Sequence, residues 1–190
     1  MDTTWWIVIA VVATLVVLAL LAWGYMQSRR RTALKDQFGP EYDRTVSSAG
    51  SRRKAEQDLA DRERTREDLD IQPLSEAART RYADDWQRAE QRFVDDPELA
   101  AREADRIVRS VLEEQGYPND DFDTQVAAVS VDHPNVVDRY RHGHQMVHGN
   151  GAEGQERTEN LRKAMVDFRT VFERVVERGQ RENPPFPGGF

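Results

Sequence analysis

The sequence contains no cysteine, and this absence removes a class of chemistry. Without cysteine the chain has no disulfide framework and no thiolate nucleophile, which fits a reducing compartment. The chain also lacks a G-x-x-x-x-G-K-[ST] phosphate loop and the G-x-S-x-G pattern of a hydrolase nucleophile. Acidic residues are numerous but dispersed, so no two of them stand out as an acid and base pair. We therefore predict no catalytic residue, and the sequence does not favour an enzyme.

A second absence concerns β-structure. No stretch of useful length alternates apolar and polar residues with period two, which is the pattern of a half-buried strand. Apolar residues in the second half of the chain recur instead at spacings of three and four, which is the helical period. The sequence therefore predicts an all-α fold with an N-terminal transmembrane helix, a charged helical stalk and a compact bundle of about five helices.

The one long apolar run, from Trp5 to Met26 (WWIVIAVVATLVVLALLAWGYM), contains no charged residue and predicts a membrane span. At 1.5 Å per residue the run reaches about 33 Å, which matches a hydrocarbon core of roughly 30 Å. A secretory signal peptide is the alternative. However, residues 1–4 carry no Lys or Arg, the run is longer than a usual signal segment, and no Ala-x-Ala site follows Trp23. We favour a retained anchor.

Basic residues cluster directly after this run, at Arg29, Arg30, Arg31 and Lys35. This bias predicts an N-terminus outside the cell and a cytoplasmic C-terminal domain. The four side chains are the predicted membrane-surface residues, because each can attract anionic headgroups by about 1 kcal/mol. From Ala55 onward 30 acidic residues outnumber 19 basic ones, so this part of the chain should be repelled by nucleic acid. The predicted partners are the lipid bilayer and either other proteins or a second copy of the chain, with no nucleic acid.

The sequence divides into five segments. They are a short tail at 1–4, the transmembrane helix at 5–26, a basic juxtamembrane segment and charged stalk at 27–72, the helical bundle at 73–180, and a disordered tail at 181–190. Within the stalk, Pro40 predicts a turn or a helix start. A coiled-coil seam through positions 55, 59, 62, 66 and 69 would contain Arg62 and Arg66, so a charged spacer is favoured over a partner-binding coiled coil.

Local signals predict the limits of the helices in the bundle. In chain order they are a cap at Ser75, an Asp96–Pro97 start, a stop at Gly116, a short helix around Phe122–Val129, a restart at Pro134, and a long last helix from Thr158 to Gly179. The loop Gly149–Gly154 formally matches G-x-G-x-x-G. Because it follows a helix instead of a strand and contains Glu153, we predict a hinge there and no cofactor.

All four histidines fall within residues 133–148. His144 and His148 are four apart on one helical face, like the pair in the H-E-x-x-H zinc motif, and His142 could supply a further ligand. Gln145 occupies the position of the catalytic Glu, so a metalloprotease would lack its base. His144 is also in phase with the apolar residues of its helix, which favours a packed imidazole. We retain His142, His144 and His148 as candidate metal ligands.

Several short motifs occur in series: FGPEYDRTV at 38–46, LDIQPL at 69–74, FVDDP at 93–97, GYP at 116–118 and SVDHPNVVDRYRHGH at 130–144. Together they resemble the motifs of an uncharacterised family of bacterial proteins with one N-terminal span and a helical domain. The resemblance implies this architecture and a bacterial origin, and therefore the inner membrane as location. It implies no activity, substrate or cofactor.

These observations lead to two hypotheses about function. The first is a membrane-anchored cytoplasmic scaffold or adaptor domain. The alternative is a membrane-anchored metal-binding or hydrolytic domain that uses the histidine cluster at 133–148.

Overall fold

The described part of the chain, residues 3–149 and 153–181 in a computed structural model, is built from α-helices and contains no strand. The helices are α1 (Thr3–Phe38), α2 (Pro40–Ser48), α3 (Arg52–Glu67), α4 (Glu76–Arg92), α5 (Pro97–Gln115), α6 (Phe122–Asp132), α7 (Val137–His148) and α8 (Gly154–Arg181). The prediction of an all-α fold is therefore confirmed. Residues 1 and 2 of the predicted N-terminal tail, and 182–190 of the predicted C-terminal tail, lie outside the described residues.

Helix α1 is longer than the predicted span, because it continues without a break from the apolar run through the arginines to Phe38. The large apolar side chains described in its first part, from Trp5 to Met26, are each at least 52% exposed. Within the described chain, no other element covers them. By length and composition α1 could cross a membrane.

The predicted starts of α4 and α5 are confirmed. The Ser75 hydroxyl accepts a hydrogen bond from the backbone N–H of Ala78, and the Asp96 carboxylate accepts one from Leu99, so each side chain satisfies a free donor of its helix. Gly116 ends α5 with a φ of 103°. A Cβ at this position would collide with the carbonyl oxygen of Asp70, so both the conformation and the close approach require glycine.

Two predicted limits of the last helix are wrong. The helix α8 begins at Gly154 instead of Thr158, and the Thr158 hydroxyl donates to the carbonyl oxygen of Gly154 from the second turn of the helix. The helix also continues through Gly179 to Arg181. Both errors come from reading a residue type as a helix end, although Thr and Gly are tolerated within a helix whose apolar face is packed.

The main core lies between helices α4 to α8. Trp86 of α4 stacks on Phe172 of α8 with ring centroids 5.0 Å apart, and Phe168 of α8 is fully buried against Tyr140 of α7. Gly143 explains the close approach of α7 and α8, because a Cβ there would lie 2.9 Å from the Phe168 ring. The core therefore has α8 as a central element, and α7 is held at a short distance from it.

Helices α2 and α3 differ from the expected stalk, because they pack on the bundle. Ala55 and Leu59 of α3 are fully buried, and Leu59 joins Phe38, Tyr42 and Val131 in a second, smaller apolar cluster. The two arginines that interrupt the coiled-coil pattern lie on this same face of α3. They are used as polar contacts: Arg62 binds Glu41 and Ser130, and Arg66 binds Asp132.

Glu41 of α2 is the polar centre of this second cluster and is only 1% exposed. Its carboxylate accepts hydrogen bonds from both terminal nitrogens of Arg141 in α7, each at 2.7 Å, and from Arg62 in α3 at 2.9 Å. Burial by itself would raise the pKa of Glu41, but the two guanidinium groups outweigh it and hold the pKa below the ordinary value. Glu41 therefore joins three helices by charged hydrogen bonds.

Candidate metal centre

Three potential metal ligands meet between α5 and α7. His144 and His148 lie one turn apart on α7, and Asp105 of α5 faces both of them. Asp105 Oδ1 lies 3.3 Å from His144 Nδ1, and Asp105 Oδ2 lies 2.9 Å from His148 Nε2. The donor atoms of the three residues all lie within 4.8 Å of one another. We call this set the Asp105 site.

Asp105 carries a buried carboxylate, and few groups near it can compensate its negative charge. It interrupts the apolar face of α5, one turn after Ala101 and one turn before Val108, and is only 4% exposed. Burial would raise its pKa, but hydrogen bonds and charge from His144 and His148 outweigh this effect, so the pKa of Asp105 is lowered. The site therefore presents an anionic carboxylate at neutral pH, which is the form that binds a cation.

Aromatic side chains hold the His144 ring in place. Phe122 of α6 stacks on it with ring centroids 3.7 Å apart and an interplanar angle of 11°. Phe122 also contacts Tyr140 edge to face, and the Tyr140 hydroxyl donates to Gln125 Oε1 at 2.7 Å. Burial raises the pKa of Tyr140 far above its ordinary value, so the phenol stays neutral. Tyr140 therefore supports the Phe122 ring and is no anionic ligand.

The donor set of the Asp105 site suits a divalent transition metal. Zn²⁺ binds histidine nitrogen and carboxylate oxygen at about 2.0–2.2 Å, so neighbouring ligand atoms of a tetrahedral ion are about 3.3 Å apart. Each histidine nitrogen lies at a comparable distance from a different oxygen of Asp105, 3.3 Å for His144 and 2.9 Å for His148. Two imidazoles and one carboxylate suit Zn²⁺, Co²⁺, Ni²⁺ or Cu²⁺ better than Mg²⁺ or Ca²⁺, which prefer oxygen ligands. His148 is about half exposed, so a fourth position would face solvent.

The remaining histidines do not join the site. His142, two residues from His144, lies 2.5 Å from Asp167 of α8, which also accepts a hydrogen bond from Arg139. A separation of two residues places side chains on different faces of a helix, which explains why His142 is not the further ligand that the sequence suggested. His133 ends α6 as its cap residue and is buried there.

The expectation for His144 was a packed imidazole, and its stacking on Phe122 agrees with that expectation. Sequence reasoning missed Asp105, which lies 39 positions before His144. One feature of the sequence does indicate Asp105. It lies on the apolar face of α5, where a buried charged side chain needs a partner. The sequence cannot identify that partner, because it belongs to another helix.

The predicted membrane-surface residues Arg29, Arg30, Arg31 and Lys35 all lie exposed on α1, beyond the apolar run. One of them has a partner in the domain, since Arg31 Nε lies 3.8 Å from Glu56 of α3.

Comparison with protein families, with characterised proteins and with solved structures finds no match to this chain. The resemblance described from the short motifs therefore stays a prediction. Any function must be argued from the residues of the chain itself.

Proposed function

We propose that this protein is a membrane-anchored helical domain that binds one divalent transition-metal ion at the Asp105 site. The observation that carries the proposal is the buried Asp105 carboxylate, each of whose oxygens faces one imidazole at 2.9–3.3 Å. A bound ion would replace the shared protons between these groups and would bridge α5 and α7. Because Gln145 stands where a metalloprotease has its base, we propose binding without peptide hydrolysis.

The anchoring part of the proposal rests on α1. Many large apolar side chains of α1 are exposed. An exposed apolar surface of this size is unfavourable in water. A core helix of a soluble domain would instead be covered by the rest of the chain. The arginines that follow the apolar run support an outside N-terminus and a cytoplasmic domain by the positive-inside rule. We therefore propose a bacterial inner-membrane location with this topology.

A scaffold or adaptor role is the second candidate. The observation that favours it is a surface groove of about 580 Å³ between α7 and α8, lined by residues that include Arg139, Arg162, Lys163 and the half-exposed Val166. Such a groove could receive side chains of a protein partner. This role is compatible with metal binding, because the ion would stabilise α7, which forms one wall of the groove.

The metal proposal predicts stoichiometric binding by the full chain in detergent. Addition of Co²⁺ should produce the visible absorption of a nitrogen- and oxygen-ligated ion, and Zn²⁺ should displace it. At 100 times its dissociation constant the ion should raise the free energy of unfolding by about 2.7 kcal/mol, measured by chemical denaturation.

The variants Asp105→Asn and His148→Ala should weaken binding by more than the 10–100-fold that is typical when only an outer hydrogen-bond partner of a metal ligand is lost. His142→Ala is the matched control, because it removes an exposed histidine of the same helix outside the site, and its affinity should equal that of the unmodified chain. Absence of binding, or an equal loss in the His142→Ala control, would overturn the proposal.

A further inference from the structure

We propose that the start of α3 and the arginines of α1 form one basic surface that binds anionic lipid headgroups. We define this basic surface by its exposed cations: Arg29, Arg30, Arg31 and Lys35 of α1, and Arg52, Arg53 and Lys54 of α3. The inference rests on the proposed membrane anchor. It adds a second contact with the bilayer, about 20 positions further along the chain, where the sequence predicts a spacer.

The first step is the reversal of the chain after α1. Gly39 separates α1 from α2 with a φ of 46°, a backbone conformation that favours glycine. Leu34 of α1 and Val46 of α2 then pack against the same small cluster as Phe38 and Tyr42. Along α1, Leu34 lies one turn before Phe38, and along α2, Val46 lies one turn after Tyr42. Because all four side chains contact one cluster, we infer that α2 runs antiparallel to α1, back toward the apolar run.

The second step is the direction of α3. Near its start, Glu56 lies 3.8 Å from Arg31 of α1, and it accepts a hydrogen bond from the Tyr42 hydroxyl. Further along, Arg62 binds Glu41, beyond the end of α1. Therefore α3 begins beside Arg31 and moves away from the apolar run as it proceeds. Its first turn, residues 52–54, lies nearer the membrane side than the contact with Glu56.

The third step is the charge of this surface. The two stretches that meet here, residues 27–35 and 48–55, contain seven Lys or Arg and no Asp or Glu. The whole protein nevertheless carries a formal net charge of −7. These two stretches, which end before Asp36 and Glu56, therefore carry a local excess of positive charge at the end of the domain where α1 leaves its apolar run, the position of the headgroups of an anchored chain.

The fourth step concerns the N-terminus of α3 and does not depend on where this helix lies relative to the membrane. Helix α3 has three cations and no acidic residue in its first turn. The N-terminus of a helix carries a partial positive charge, so cations there destabilise the helix, whereas a nearby anion stabilises it. The Ser51 hydroxyl accepts a hydrogen bond from the Lys54 N–H, and the earlier N–H groups of this first turn remain available to an anion. A layer of phosphate headgroups would therefore compensate both the dipole and the cations of α3.

A contact at the start of α3 would have a structural consequence. A single transmembrane helix leaves the domain free to rotate about the helix axis and to tilt. A second contact, held to α1 by the small cluster and by the Arg31–Glu56 ion pair, would fix the orientation of the bundle on the bilayer. It would also make that orientation depend on the anionic lipid content.

The test uses the full chain in nanodiscs and exploits the absence of native cysteine. A fluorophore on Ser48→Cys, at the exposed end of α2 close to the start of α3, reports quenching by a spin label attached to lipid headgroups. Discs of phosphatidylcholine alone are compared with discs that also contain phosphatidylglycerol. We expect stronger quenching in the anionic discs, and we expect added salt to remove the difference.

The decisive variant is Arg52→Gln/Arg53→Gln/Lys54→Gln. Each cation near an anionic surface contributes about fivefold to binding, so removal of three should lower it by roughly 100-fold and reduce quenching to the level of the neutral discs. Helix α3 should stay folded, because the change removes unfavourable charge from its N-terminus. The matched control Arg88→Gln/Arg102→Gln/Arg106→Gln removes the same charge from α4 and α5 and should keep the lipid dependence.

Failure of this inference is distinguishable from failure of the anchor. A water-soluble maleimide should not react with Val16→Cys in the apolar run of the reconstituted protein if α1 spans the bilayer. If Val16→Cys is protected but quenching at Ser48→Cys is independent of lipid charge, or if the control variant loses as much quenching, the lipid contact of α3 is refuted. Labelling of Val16→Cys would refute the anchor and with it this inference.

Discussion

At the scale of single residues, Glu41 and Asp105 are buried carboxylates that are neutralised by different chemistry. Glu41 has Arg62 and Arg141 as partners, and a guanidinium group keeps its charge at any pH the fold survives. Asp105 has two histidines, whose ring nitrogens are metal ligands as well as hydrogen-bond partners. The Glu41 contact is therefore suited to a permanent link between helices, whereas the Asp105 site is suited to reversible binding of an ion.

The permanent link predicts a characteristic pH dependence of stability. The folded pKa of Glu41 is below 4.5, so the unfolded chain takes up its proton first on acidification. The stabilisation from Glu41 is complete above about pH 4.5 and is lost as the pH falls through the folded pKa. Arg141→Gln should therefore lower the free energy of unfolding by about 3 kcal/mol near pH 7, and this difference should shrink at acid pH.

Denaturant unfolding at several pH values would measure this difference. Arg64→Gln is the control, because Arg64 forms only an exposed ion pair with Asp61 and its loss should change stability by less than about 1 kcal/mol. A destabilisation by Arg141→Gln that is the same at neutral and acid pH would show that the packing of the side chain, and not its charge, is what matters.

At the scale of helices, α3 shows how a mostly charged segment becomes part of a fold. Its apolar content is too small for a bundle helix by sequence criteria, but Ala55 and Leu59 lie one turn apart and share a face. The face continues through Arg62 and Arg66, whose charges find acidic partners on α2 and α6. A short apolar contact extended by ion pairs therefore docks a helix that hydrophobicity alone would leave in solvent.

This packing predicts a cost for a single truncation in α3. Leu59→Ala removes a fully buried side chain and should lower the free energy of unfolding by about 2–5 kcal/mol, depending on how far the site collapses. Arg64→Ala, on the exposed side of the same helix, should change it by about 0.5 kcal/mol or less. Chemical denaturation of the full chain in detergent measures both. A harmless Leu59→Ala would restore the interpretation of α3 as a free stalk.

At the scale of the whole molecule, the bundle depends on α8, which packs against α5 and α7 and contacts α4 through the stack of Phe172 on Trp86. No single helix of this length is stable in water without a partner for its apolar face. The Phe168 ring lies where α7 approaches most closely, against Gly143 and Tyr140. Loss of this ring should therefore weaken the packing of more than one helix.

Phe168→Ala should lower the free energy of unfolding by about 3–5 kcal/mol, a large part of the 5–15 kcal/mol that is typical of a domain. Val166→Ala is the matched control on α8, because Val166 is 50% exposed and its truncation leaves no cavity. The loss of circular dichroism on heating should remain a single transition in both variants. A Phe168→Ala change as mild as the control would contradict the central position of α8.

The sequence by itself determined what depends on near neighbours along the chain. It predicted the all-α class, the caps at Ser75 and Asp96, the stop at Gly116, the long apolar run of α1 and the shared face of His144 and His148. These features follow from backbone geometry and side-chain period within a few residues. The limits of α8 were mispredicted because packing there outweighs local preference.

Only the tertiary structure decided which distant residues meet. It brought Asp105 to His144 and His148, Glu41 to Arg141, and the start of α3 to Arg31 of α1. None of these pairs has a periodic signature, because the partners lie on different helices, and the packing angles and turns between those helices set their contacts. The candidate metal centre and the basic surface are therefore products of helix packing, whereas the helices that carry them are products of local sequence.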